Sequence, residues 1–280
     1  MALIHHTYGK GRVRVMRVHR EGEYNEVRDL SVDTMLESAV MAPSWSEGDN
    51  RNVVATDTIK NITYIVAREN LRAAPEVFGE RLASRFLERY PQVEAVRVRM
   101  VETRWQRAEF GGTAHPHGFT LDGNGKPTAT VQLAQGGAAE IVSGVEGYTF
   151  MKSTASGWED YVMDEYTTLP PTNDRIAATA MDAHWSWRAT PADYASANAL
   201  LLATMLEVFA TTYSKGVQDS LYRMGEAALG AVPEVATVTM ACPNKHYIPM
   251  KLDAFGLSGD NCVFIATDEP HGQIECTVGR

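Results

Sequence analysis

Val53-Val54-Ala55-Thr56-Asp57-Thr58-Ile59-Lys60-Asn61-Ile62, continuing into Thr63-Tyr64-Ile65-Val66-Ala67, is the stretch on which the reading of this chain turns. Its flanks are rich in β-branched residues and read as a buried strand. Its middle does not, because Asp, Lys and Asn are depleted in strands. Two readings stand side by side. One is a polar turn. The other is a core strand interrupted to present hydroxyl and carboxylate groups to a ligand, since a local rule broken inside a consistent segment often marks function.

Around this stretch the hydrophobic periodicity alternates between strand and helix. Val13, Val15 and Val18 among Arg12, Arg14 and Arg17 predict a half-exposed strand that begins after Tyr8-Gly9-Lys10-Gly11. Strands are also expected over 24–40 and 53–67. Pro75-Glu76 opens a helix with Phe78, Leu82 and Phe86 at four-residue spacing, stopped by Pro91. Alternation returns over 93–107, and Asp122-Gly123-Asn124-Gly125-Lys126-Pro127 reads as a hairpin region before strands at 128–135 and 138–152. A strand is expected at 176–187. Thr190-Pro191-Ala192-Asp193 then reads as a capped start to a helix carrying Leu200, Leu201, Met205, Leu206 and Phe209. A further helix bears Val217, Leu221, Met224 and Ala228 and stops at Gly230, and strands at 235–241 and 262–267 finish the pattern.

Two successive blocks therefore share an order of paired strands, helices and paired strands. Their boundary is placed at Gln135-Gly136-Gly137, giving domains 1–135 and 136–280. Antiparallel strands with segregated helices predict an α+β fold. No Gly-x-Gly-x-x-Gly or phosphate-loop pattern is present.

Composition narrows the function classes. The 280 residues are 44% apolar and 22% charged, as in ordinary globular proteins. No apolar run of about 18 residues argues for a membrane span, and the N-terminal residues lack the pattern of a secretory signal. A net charge of −9 argues against nucleic-acid binding, which needs a basic face. It also means that an anionic ligand must be held by local cations. Cys242, Cys262 and Cys276 form no Cys-x-x-Cys pair and suit a reducing compartment. The expected location is the cytoplasm. The chain shows no peroxisomal tripeptide, and a trimmed tail would make the location peroxisomal.

Several residues can carry chemistry. Lys10, if desolvated, becomes a base at neutral pH. Thr56 and Thr58 are too weakly acidic to be bases, but a hydroxyl both donates and accepts and so can relay a proton. His246, within Asn244-Lys245-His246-Tyr247 after Cys242-Pro243, is either a proton shuttle or a structural histidine. His115 and His117 with His184 could ligate zinc, although no carboxylate lies near them in sequence. Arg175 follows two prolines and a polar turn and can clamp a planar anion. Trp158 is core or a stacking platform. Val217-Gln218 at a helix start offers free N–H groups and an amide. A flat, polar, anionic ligand of purine type fits this set.

Taken in order, these segments resemble the urate oxidase (uricase) family over nearly the whole chain. The landmarks are Tyr8-Gly9-Lys10, residues 54–61, His115-Pro116-His117, Lys152-Ser153-Thr154, Asp164-Glu165-Tyr166-Thr167-Thr168-Leu169, Asp174-Arg175 and residues 243–247. The resemblance implies two tandem tunnelling-fold (T-fold) domains with helices on one face of antiparallel sheets, assembled into a tunnel-shaped homotetramer with sites at subunit interfaces. It implies oxidation of urate by O2 and water to 5-hydroxyisourate and hydrogen peroxide, without metal or organic cofactor. Carried over, Lys10 and Thr56 form a proton relay extended by His246. Arg175 and Gln218 clamp the ring, and the Val217 and Asp57 backbones read its edge. Trp158 stacks on it and Asn244 holds oxygen or water. Thr56 and Asp57 would come from one chain and Trp158, Arg175 and Gln218 from its neighbour. Trp158 departs from the family's usual phenylalanine, and Glu159-Asp160 from more apolar residues. A zinc-dependent T-fold enzyme acting on a pterin or purine, and an inactive urate-binding homologue, are the alternatives.

Overall fold

The computed structural model describes residues 3–259 and 261–280. Internal contacts divide the chain between Gly144 and Val145 into two units. In chain order the elements are β1 (Tyr8–His19), β2 (Glu26–Glu37), α1 (Pro43–Ser46), α2 (Thr56–Glu69), α3 (Pro75–Arg89), β3 (Ala95–Thr103), β4 (Trp105–Phe110), β5 (Thr113–Leu121) and β6 (Lys126–Ala134). They continue with β7 (Glu140–Lys152), β8 (Ala177–Trp187), α4 (Tyr194–Thr211), α5 (Val217–Ala231), β9 (Val235–Pro249) and β10 (Phe264–Gly279). The Gln135-Gly136-Gly137 segment, expected as the domain boundary, is a turn before β7.

The expected α+β architecture is the one found. In the first unit the strands run β1-β2-β3-β6, antiparallel throughout, with β4 and β5 as a separate hairpin. Alternate residues face α2 and α3: Val13 and Val15, Leu30 and Val32, Val96, Val98 and Met100, and Val131 are all buried. Arg17 shares that face. Its charge would ordinarily keep it at the surface, yet it is 2% exposed, with its guanidinium over the Phe78 ring and one nitrogen donating to the Asn70 carbonyl at 2.6 Å.

In the second unit the order is β7-β8-β9-β10. Met181, Ala183 and Trp185 of β8 and Val238, Met240 and Cys242 of β9 pack with Leu201, Met205 and Phe209 of α4 and Leu221, Met224 and Ala228 of α5. The α4 helix is long and apolar enough, by length and composition, to cross a bilayer. Here it buries Tyr194, Leu201, Met205 and Phe209.

The structure corrects the stretch quoted at the outset. Residues 56–69 are helical and not an interrupted strand. Ile59, Thr63, Val66 and Ala67 are buried, a helical spacing that outweighs β-branched propensity once the face can pack. Asp57 pairs with Lys60 and Asn61, the i+3 and i+4 partners of a helix surface. Other expectations shift at their ends. The α4 cap is Asp193, whose carboxylate accepts from Ser196 N–H at 2.9 Å, and not Thr190. Gly230 lies inside α5, which ends before Pro233. β9 runs through Cys242-Pro243 to Pro249, and β10 runs to Gly279, because each supplies the other's ladder bonds. The expected strand at 93–107 breaks into β3 and β4, and the latter turns through Gly111 and Gly112, both at positive φ, into β5.

Candidate active site

The expected site residues fall into two groups, one in each unit. The first is built at the start of α2. Ala55 caps that helix with no side-chain hydrogen bond, so the N–H groups of its first turn keep no partner from a cap and its positive dipole end faces outward. Thr56 is the first helical residue and is half-buried; Asp57 follows and is exposed. The Lys60 ammonium donates to the Asp57 carboxylate and holds its carboxyl below the usual range, with Lys10 adding a weaker pull. Lys10 stands on β1 opposite Thr34, just before a bulge that displaces the register up to Val13. Arg12 within it has φ 53°, and its N–H donates to Asp33 at 2.5 Å. Thr56 and Asp57 thus stand at the α2 start and Lys10 at the edge of the β1 bulge, in the same unit.

The second group is framed by three crossing segments. Trp158 N–H donates to the Thr172 carbonyl at 2.6 Å and Thr172 N–H returns the bond at 3.0 Å. Arg175 N–H donates to the Ser156 carbonyl at 2.9 Å, and Gly157 N–H to that of Ser214 at 2.8 Å. These bonds fix Trp158 and Arg175 side by side, with the guanidinium carbon 5.8 Å from the indole centroid. Burial lowers the Arg175 pKa, opposed by Tyr213. Its Nε is buried and finds no hydrogen-bond partner among the described residues. A buried unpaired donor on a cation is costly unless a ligand answers it.

Val217 and Gln218 open α5, which Gly216 caps without a side-chain bond. Both helices that carry expected site residues at their start, α2 and α5, thus present N-termini with no side-chain cap, whereas α4 is closed by Asp193. Asn244 and His246 are half-buried on β9. They share the strand face of buried Cys242, because side chains alternate along a strand. Asn244 and Val217 both line a cavity of about 20 Å³ beneath α5. Lys152 donates to the Thr212 carbonyl at 2.7 Å and so braces the segment leading into α5.

Gly216 and Tyr213 belong to this site although sequence reasoning passes over them. A Cβ on Gly216 would lie 2.9 Å from Trp158 Cζ3 and 3.0 Å from Gln218 Oε1. The Tyr213 hydroxyl donates to the Asn173 carbonyl at 3.0 Å, beside Arg175. A glycine immediately before Val217-Gln218 was the available signal. The histidines considered for zinc behave differently. His115 and His117 contact each other on β5, with ring centroids 4.5 Å apart, and among the described residues no three His, Cys, Asp or Glu side chains gather as a metal site.

The two groups together offer free N–H edges, a cation beside a π-face, and a lysine–threonine pair. Comparison with known proteins fits that chemistry. A family model described as Uricase matches residues 6–132 and 141–275. The chain is 37% identical over 288 residues to the uricase of Aspergillus flavus, covering 98% of this chain and 95% of that one. It is 37% identical over 273 residues to the uricase of Arthrobacter globiformis, covering 98% and 88%. The crystal structure of the Arthrobacter globiformis protein matches with a TM-score of 0.94 at 35% identity, covering 100% of this chain and 95% of that chain.

Proposed function

Because the chain belongs to the uricase family, we propose that its two half-sites close on urate across a subunit boundary and oxidise it with no resident metal or organic cofactor. The chain is an enzyme of urate oxidation, built from two tandem α+β repeats. The observation that carries the site reading is Arg175: a half-buried guanidinium with an unpartnered Nε beside the Trp158 ring. That pairing suits a flat anion, held by charge at its edge and by stacking at its face.

Urate enters between the groups. The Arg175 guanidinium and the Gln218 amide clamp one side, and the Val217 N–H reads an adjacent edge. The Asp57 N–H at the α2 start reads the other side, while the Asp57 carboxylate stays engaged with Lys60. Lys10 takes a proton through the Thr56 hydroxyl, leaving an electron-rich dianion. Oxygen is a triplet and reacts poorly with closed-shell molecules; the dianion meets it by giving up electrons one at a time. Two electrons reach O2, which leaves as hydrogen peroxide, and water adds to the oxidised ring carbon to give 5-hydroxyisourate. His246 passes protons to the peroxide, and Asn244 holds oxygen or water over the ring. Atoms balance as urate, O2 and H2O on one side and 5-hydroxyisourate and H2O2 on the other.

The assembly proposed is a homotetramer enclosing a tunnel, in which Thr56 and Asp57 meet Trp158, Arg175 and Gln218 of a neighbouring chain. Its support is that β1 and β10, of 12 and 16 residues, each lie at a sheet edge. Long open edges are pairing sites that natural proteins cover. Loss of urate absorbance on adding the enzyme, undiminished by a chelator, tests the reading. A zinc-dependent pterin or purine enzyme would lose activity on chelation, and an inactive urate binder would show none.

A further inference from the structure

Residues 158–169 carry a second aromatic ring that the reaction leaves without a task. Tyr161 stacks on Trp158 with centroids 5.5 Å apart and ring planes within 13° of parallel. Its hydroxyl donates to the Leu169 carbonyl. From 158 to 166 only these two residues are half-buried, while the rest are exposed. The turn that folds Tyr161 back places Asp160 at φ 58°, a left-handed conformation that persists in a non-glycine residue when its surroundings hold it.

We propose that Tyr161 is the back-plate of the substrate platform: it covers one face of the Trp158 indole, fixes the plane of that ring and leaves the opposite face for urate. A flat ligand can stack only on a face that is free. The torsion that orients an indole is broad, so the ring plane is set by what packs against it. The backbone of Trp158 is held by its paired bonds with Thr172, and Gly216 abuts the ring at Cζ3 and Cε3. The Arg175 guanidinium carbon lies 5.8 Å from the ring centroid and adds charge near the ring, whereas Tyr161 supplies the parallel surface in contact with it. Tyr161 is therefore a positioning residue, acting on urate through Trp158.

This inference rests on the urate reading, and one experiment separates the two. Oxygen uptake by the wild-type enzyme tests the reading itself. Urate binding under argon, where no oxidation runs, reports the platform through tryptophan fluorescence. Tyr161→Leu should raise both the dissociation constant and KM about five- to tenfold with kcat nearly unchanged, the worth of one offset aromatic stack. Tyr161→Phe keeps the ring and loses only the bond to Leu169, and should retain wild-type binding. A Leu variant that binds urate as well as or better than wild type would overturn the inference, because Tyr161 would then be idle or would occupy the substrate's own face. A Phe variant with weakened binding would also overturn it, and Tyr161→Met, which fills similar space without a ring, should weaken binding as Leu does and overturns the inference if it does not.

Discussion

Gly216→Ala tests whether close packing at the α5 start sets the geometry of the site. The glycine has φ 178°, extended backbone that alanine adopts freely, so any effect must come from the added methyl. That methyl would lie 2.9 Å from Trp158 Cζ3, 3.2 Å from Cε3 and 3.0 Å from Gln218 Oε1. Carbon atoms in contact rest at about 3.5 Å or more, so the indole or the α5 start must give by roughly 0.6 Å. Gln218 can swing away into solvent, but Trp158 is tied to Thr172 on both sides of its peptide unit and has Tyr161 stacked on it. Misplacing a reacting group by 1 Å can cost about a hundredfold in rate. The expected loss in kcat/KM is therefore about ten- to a hundredfold, or ~1.4–2.7 kcal/mol. The helix cap weakens only slightly, so melting should fall by no more than a few degrees. Steady-state urate decay and a thermal melt on the same preparation give both numbers. Gly230→Ala is the control: apart from its chain neighbours and its own helix backbone, no atom of the described residues lies within 4 Å of its Cβ position. It should leave activity alone and stabilise by about 1 kcal/mol, as alanine does inside a helix. A Gly216→Ala enzyme within twofold of wild type would refute the reasoning.

Other consequences are equally direct. Lys10→Met should remove nearly all turnover while the proposed tetramer still assembles, as read by scattering and oxygen uptake; near-normal turnover would end the relay assignment. Thr56→Ala and Arg175→Ala should each be nearly inactive alone, yet co-assembled hybrids should recover about a quarter of wild-type sites, because in the proposed assembly each site draws on two chains. No recovery in verified hybrids would place both groups within one chain. Burial pushes the Cys242 thiol up to about 12 from an ordinary 9.0, partly opposed by the neighbouring Thr179 hydroxyl. The folded state thus keeps a proton that the unfolded chain releases first. This contribution to stability is complete below about pH 9 and is lost as pH rises towards 12. Melting temperature should fall over that window, and fall less in Cys242→Ala; identical slopes would contradict the assigned cause.

How much of this was legible in the sequence depends on the range of the forces involved. α3 was legible because Pro75 starts it and Phe78, Leu82 and Phe86 repeat every turn, all local signals. α2 was misread because Val, Ile and Thr dominate 53–66, and β-branched content masked the helical spacing of Ile59, Thr63 and Val66. That error mattered for the site. As a strand, Thr56 and Asp57 needed an interruption to reach a ligand; as the first turn of a helix they present N–H groups by construction. The far end of β10 was invisible because 268–272 is broken by Pro270 and Gly272, and only pairing with β9 carries the strand past them. The identities of Lys10, Thr56, Arg175, Gln218, Asn244 and His246 came from motif order. What packs them did not, since the contacts of Gly216 with Trp158, of Tyr213 with Asn173 and of Arg17 with Phe78 join residues far apart in the chain.

In the proposed reaction side chains alone let urate reduce oxygen, so that O2 accepts electrons and water supplies the new oxygen atom. Turnover of urate under ¹⁸O2 in ordinary water tests this most directly, on enzyme shown by elemental analysis to be free of stoichiometric metal. One O2 should be consumed per urate, with both labelled atoms in hydrogen peroxide and none in 5-hydroxyisourate. Label in the organic product, or no oxygen uptake by the assembled enzyme, would contradict it.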